Sequence, residues 1–188
     1  MLVIDRDGTV IVNFDPGRMA TVDRNTNTWL AYLRGDETAL RRHIHRGNLE
    51  ATQPDLWDVI TERVQRGFMG ELATAAYLRA PYEWRLQAYD KSTTDVDGIQ
   101  VRTTDNLRKR LITHEYDPPA PYVLAVADYG TQTVILRGWL HLRHCNVREH
   151  WRTDIGAPAY FVPATALHPM ATLRQYYQQR KLQKLRYY

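Results

Sequence analysis

The stretch TTDVDGIQVRTTD, residues 93–105, decides how the rest of the chain is read. Asp97-Gly98 is a strong short-range signal for a two-residue β-turn, because both central positions of a primed turn need a left-handed backbone. The residues after it alternate, so 99–103 read as a strand with Gln100 and Arg102 on one face and Ile99, Val101 and Thr103 on the other. Asp95 stands just before the turn. An acid, a tight turn and a strand with polar residues on one face gather titratable groups at one place.

Upstream, PDLWDVITERVQRGFMGELATAAYLR (54–79) reads as a long helix opened by Pro54, with Leu56, Val59, Ile60, Val64, Phe68, Leu72 and Ala76 keeping the 3.6-residue period. Glu71 falls among those apolar positions rather than with Glu62 and Arg66, and a carboxylate on an inward face needs a partner. Further strands are expected at 82–87, 111–113, 122–127, 133–141 and 159–162, several of them rich in Val, Ile, Tyr and Trp. Residues 2–14 alternate around Asp7-Gly8 as a β-hairpin, and a short strand or irregular arm is expected through Leu33. A short helix capped by Asp36 follows over 36–45. A helix, a run of strands and a final basic helix imply an α/β fold with a mixed central β-sheet flanked by helices. The chain divides into an N-terminal hairpin arm (1–47), a core (48–170) and a basic C-terminal helix (171–188).

The chain has 188 residues, 44% of them hydrophobic and 24% charged, enough apolar material for a core and too much for a disordered chain. No stretch reaches the ~20 apolar residues of a membrane span, and charges at Asp5, Arg6 and Asp7 interrupt any signal-peptide core, so an intracellular, cytoplasmic protein is expected. One cysteine, Cys145, makes neither an internal disulfide nor a Cys-based zinc site. Read as a strand, HLRHCNVREH places His141 and Cys145 on one face and His144 on the other, which is not tetrahedral spacing. Cys145 reads as a small buried hydrophobe and Trp139 as core.

The net charge of +4 is concentrated in the tail, where Arg174, Arg180, Lys181, Lys184 and Arg186 are interleaved with tyrosines and no acid. Bases with aromatics suit a nucleic-acid backbone, since cations neutralise phosphates and rings stack on bases. A solvated helix packed through its leucines and tyrosines explains the same pattern. Arg108, Lys109 and Arg110 form a second basic run after the 99–103 strand.

Two resemblances arise. LVIDRDGTVI (2–11) is similar to the first motif of the haloacid dehalogenase phosphatases, which would make Asp5 a nucleophile and Asp7 an acid/base. The later chain shows no acidic pair after an apolar strand, and a surface turn accounts for Asp7-Gly8. The order GELATAAYL, DVDGIQVRTT, YVLAVAD, VILRGWLHLRH, WRTDIGAPAYFVPATALHPM, over roughly 67–170, resembles small phage and prophage proteins of the PD-(D/E)XK nuclease superfamily. That resemblance implies a restriction-endonuclease-like αβββαβ core, DNA as partner and Mg²⁺ or Mn²⁺ as cofactor. It makes Glu71 the helix acid, Asp95 the metal-binding aspartate and Gln100-Val101-Arg102 the (D/E)-X-K tripeptide, the metal being held by Asp95, Gln100, the Val101 carbonyl and Glu71. Asp97 is the alternative ligand, because the short turn leaves the alignment ambiguous by two positions. It also brings His141 and His144 beside the site and implies a 5′-phosphate product.

Two positions depart from the motif. Gln100 keeps an oxygen for a hard cation but removes a negative charge. Arg102 stays protonated, so it holds a phosphate rather than accepting a proton. These departures keep open a catalytically inactive DNA-binding relative, and a structural reading makes Glu71 and Arg102 an ion pair between helix and strand. The segment 1–47 packs on the core, mediates a homodimer or clamps DNA, and the residues do not choose among these.

Overall fold

A computed structural model of the chain describes residues 2–4, 8–46, 49–82, 94–154 and 158–185, with side chains for 8–45, 49–82, 94–154 and 158–183. The expected hairpin forms from β1 (Leu2–Ile4) and β2 (Val10–Asn13), antiparallel with Leu2 opposite Val12. Asp5 and Asp7 lie outside the described residues, as do Arg186 and most of the strand expected at 82–87.

The segment expected as a short strand or irregular arm is a helix, α1 (Pro16–Gly35). Asp15 caps it, accepting the Arg18 N–H at 2.9 Å, and Pro16 stands in the first turn. Met19, Val22, Thr26, Trp29, Leu30 and Leu33 recur every three or four residues on its buried side. Asn25 and Thr26 interrupt that stripe with polar groups, and the run TVDRNTNT has weak helix propensity. Packing against the long helix overrides both. Next comes α2 (Glu37–Arg46), capped as expected by Asp36, whose Oδ1 accepts the Ala39 N–H at 2.9 Å. The long helix, α3 (Leu56–Leu78), keeps the expected apolar face.

Beyond α3 run β3 (Gln100–Thr104), β4 (Leu111–Thr113), β5 (Pro121–Asp128), β6 (Thr133–His141), the single-turn α4 (Leu142–Cys145), β7 (Trp151–Arg152), β8 (Ala159–Val162) and α5 (Met170–Leu185). The central sheet has the order β1-β2-β6-β5-β3. Its pairings are antiparallel except the last, where β3 lies parallel to β5. The protein is therefore mixed α/β with a mixed sheet, and β3 is an edge strand. Helices α1, α3 and α5 cover one face in one cluster that includes Val12, Val22, Leu33, Ile60, Met69, Val123, Ala125, Leu136 and Leu173. The N-terminal hairpin, α1 and α5 are thus built into the core rather than appended to it.

The small sheet β4-β8-β7 covers the other face through Leu111, Tyr122, Leu124, Leu140, Cys145 and Val162. Cys145 is fully buried, and burial pushes its thiol up to about 12, so it packs as the inert hydrophobe expected. It sits in a helical turn, not in the strand that the zinc argument assumed. The strand β6 carries an irregularity opposite Leu124 and Ala125, where Gly138 adopts φ 147°. A Cβ there would come within 2.7 Å of the His168 carbonyl oxygen, so only glycine lets the two backbones meet and exchange the Trp139–His168 hydrogen bonds of 3.0 and 2.9 Å. Among the described residues no helix is long and apolar enough to cross a membrane.

Candidate functional site

Val96 and Ile99 exchange backbone hydrogen bonds of 3.0 and 2.9 Å, and Asp97 and Gly98 between them have φ of 37° and 88°, the primed turn expected. This turn lays Asp95 along β3, where its Oδ2 accepts the Val101 N–H at 2.7 Å. Since β5 pairs with only one side of β3, that N–H points off the sheet edge. In a strand the N–H and carbonyl of one residue leave on the same side, so the Val101 carbonyl also opens toward Asp95.

Glu71 reaches this edge from α3. It is half-buried, and its Oε2 accepts the Tyr82 hydroxyl at 2.8 Å, while Asn25 of α1 hydrogen-bonds that hydroxyl in turn. Burial pushes the Glu71 carboxyl well above the usual range, the negative charge of Asp95 pushes it the same way, and Tyr82 opposes both. Burial also raises Asp95, against the Val101 N–H and the positive charge of Arg102. Two half-buried carboxyls within electrostatic reach of one another favour a shared proton or a cation. The donor set is this pair with a backbone carbonyl, and Mg²⁺ is commonly held by one or two carboxylates while keeping several waters, so the residues fit such an ion. Among the described residues no group of three or more His, Cys, Asp or Glu side chains gathers at metal-binding spacing.

The ion pair considered between Glu71 and Arg102 does not form. Gln100 and Arg102 lie on the strand face away from α3, beside Tyr122 and Leu124 of β5. There the Arg102 Nη2 donates to Asp117 Oδ2 at 3.1 Å, and its guanidinium lies 5.3 Å from the centre of the Tyr122 ring. Asp117 is 8% exposed at its side chain and also accepts the His114 N–H at 3.0 Å. Burial works to raise Asp117, but the His114 hydrogen bonds and the Arg102 charge outweigh it and hold the carboxyl below its usual range. Arg102 is 37% exposed, so an anchored cation stands partly open to solvent.

Gln100 is buried on the same face as Arg102. Asp97 is engaged elsewhere, its Oδ2 accepting the Tyr177 hydroxyl of α5 at 2.6 Å. Arg180 donates to the carbonyls of Asp97 and Gly98 at 3.4 and 3.3 Å, Arg174 lies over the Tyr77 ring and Lys181 over the Tyr177 ring. These tail bases serve first to dock α5, and the Lys184 side chain lies outside the described set. Arg108, Lys109 and Arg110 are fully on the surface between β3 and β4, with Lys109 paired to Asp105 at 2.8 Å.

The sequence reading did not single out Asn25, Tyr82, His114, Asp117 or Tyr122. The only local signal was at Asp117, an aspartate before two prolines, which marks a turn rather than a partner. No family model, curated protein or solved structure matches the chain.

Proposed function

We propose that the chain is a Mg²⁺- or Mn²⁺-dependent nuclease of the PD-(D/E)XK superfamily that hydrolyses DNA phosphodiester bonds in the cytoplasm. In this reading α3, β3, β5 and β6 belong to a restriction-endonuclease-like core. The observation that supports it is that Glu71 lies within electrostatic reach of Asp95, whose Oδ2 accepts the Val101 N–H on the side of β3 that β5 leaves open among the described residues. Glu71, Asp95 and the Val101 carbonyl would hold the divalent ion, which when bound supplies charge compensation and Lewis acidity toward a phosphate oxygen. Tyr82 fixes the Glu71 carboxyl, and Asp95 is fixed by the Val101 N–H. Arg102, aimed by Asp117, binds a phosphate oxygen and favours the transition state in which charge on that group grows. Arg108, Lys109 and Arg110 contact the DNA backbone outside the cut.

Two features favour a second reading, an inactive DNA-binding relative: an amide, Gln100, stands where the motif has a carboxylate, and an arginine replaces the lysine. The phosphatase motif expects its nucleophile after a buried strand, whereas β1 is an edge strand.

The test is cleavage of linear duplex, circular single-stranded and branched DNA with Mg²⁺ or Mn²⁺, comparing the native protein with Asp95→Asn. Asparagine keeps an oxygen for the Val101 N–H and loses the charge, so its fold is preserved. Metal-dependent cutting that disappears in Asp95→Asn is the expected result. Native protein that binds DNA without cutting any substrate establishes the inactive relative instead.

A further inference from the structure

On the helix-covered face of the sheet, where Trp139 and His141 of β6 meet the start of α5, lies a half-open cavity of about 360 Å³, within the size range of small-molecule sites. Val101, Val123 and Trp139 stand in one row across β3, β5 and β6, so the cavity wall at Trp139 is two strand spacings, about 10 Å, from Val101. Its floor is a group of rings. Trp139 meets His168 at 5.5 Å and Tyr176 at 5.6 Å between ring centres, and its Nε1–H is held by Thr172 Oγ1 at 2.9 Å.

The rim is basic: His141, Arg143 and His144 line it, and among the described residues no carboxylate does. Arg143 links the two imidazoles, its Nε donating to His144 Nε2 at 3.0 Å and its backbone N–H to His141 Nδ1 at a long 3.5 Å. Burial, then the charge of Arg143 and of His144, lowers the His141 pKa, as in a site with surplus positive potential. A ligand complementary to this cup has a flat aromatic body and an anionic group beside it.

We propose that the Trp139–Tyr176 cup binds a nucleotide, its base against the rings and its phosphate on Arg143 and the imidazole N–H groups. Stacking on aromatic side chains tolerates any base, because every base has a π-face, while a charge-assisted hydrogen bond selects the phosphate. The proposal deepens the nuclease reading, on which its meaning as a substrate grip rests, and concerns binding alone.

The test uses full-length Asp95→Asn protein, which cannot consume a substrate, with dAMP, deoxyadenosine, inorganic phosphate and a five-residue single strand of deoxyadenylate. Calorimetry gives affinities, and NMR follows the Trp139 indole N–H and the His141 pKa. The expected result is that dAMP binds, shifts the Trp139 signal and raises the His141 pKa. Arg143→Gln, at an exposed position, and Tyr176→Leu should each weaken it about tenfold or more. Binding of the strand but not of dAMP places the nucleotide within a chain, and binding of both shows that a free nucleotide suffices. Either supports the proposal. Deoxyadenosine or phosphate binding as tightly as dAMP overturns it, as does no binding of dAMP or of the strand. A native protein that never cuts DNA defeats only the nuclease reading, because these affinities are measured without cleavage.

Discussion

Arg102 joins a buried carboxylate to a partly open surface. Its partner Asp117 is nearly sealed from water, so Arg102→Gln leaves a buried carboxylate short of its cation. Arg102 is itself partly exposed and solvent screens the pair, which limits the destabilisation to about 1 kcal/mol, a fall in Tm of about 2–4 °C by thermal unfolding. The native fold holds Asp117 below its unfolded pKa, so the pair stabilises fully above the ordinary aspartate range and fades as pH falls through the lowered value. The gap between native and variant Tm should therefore narrow in acid, and a constant gap would place the effect elsewhere. Glu71 acts in the opposite sense. Two half-buried carboxyls within electrostatic reach of one another oppose folding, so Glu71→Gln should raise Tm in EDTA at neutral pH by a few degrees, about 1 kcal/mol, while abolishing metal-dependent cutting. An unchanged or lower Tm would mean that the pair is not repulsive. Glu71 and Asp95 were legible in the sequence because one broke an apolar period and the other preceded a turn. The Arg102 partner was not, because it lies fifteen residues away across a loop with no period to follow.

At the scale of elements, β4, β5, β6, β8 and α3 followed from alternation, apolar runs and period, whereas the two-residue β7 is too short to leave a pattern. The helix α1 did not follow either, because its buried face contains Asn25 and Thr26, polar groups that break the apolar period. Contacts between elements were equally hidden. Nothing local in β6 announces that His168 will press on Gly138, yet the crossing sets the Trp139 ring. Gly138→Ala should cost about 1–3 kcal/mol from close contact and an unfavourable φ, read as a lower denaturation midpoint in urea with unchanged slope. A neutral outcome would show that the β6–His168 crossing gives way easily.

Over the whole molecule, the surplus of positive charge divides into two populations. Arg174, Arg180 and Lys181 of α5 are engaged with rings and carbonyls, and α5 supplies Met170, Leu173 and Tyr177 to the core. Arg108, Lys109 and Arg110, in the exposed loop between β3 and β4, form the second population. Replacing Arg108, Lys109 and Arg110 together with glutamine should weaken DNA binding for all sequences, with Tm little changed. The slope of log K against log salt should fall by about one for each phosphate that is no longer neutralised. A slope that stays the same assigns the electrostatic grip to another surface. Charge and composition located the basic runs, but not which bases were already spent on packing. The outer rim of β3 has a last consequence. A strand at the border of a sheet is a template on which another polypeptide can grow, and Asp95 occupies the N–H where such growth would start. The carboxylate proposed to hold metal thus also caps the edge, so removing the acceptor at that position should make the chain more prone to self-association, read as a larger apparent mass in solution.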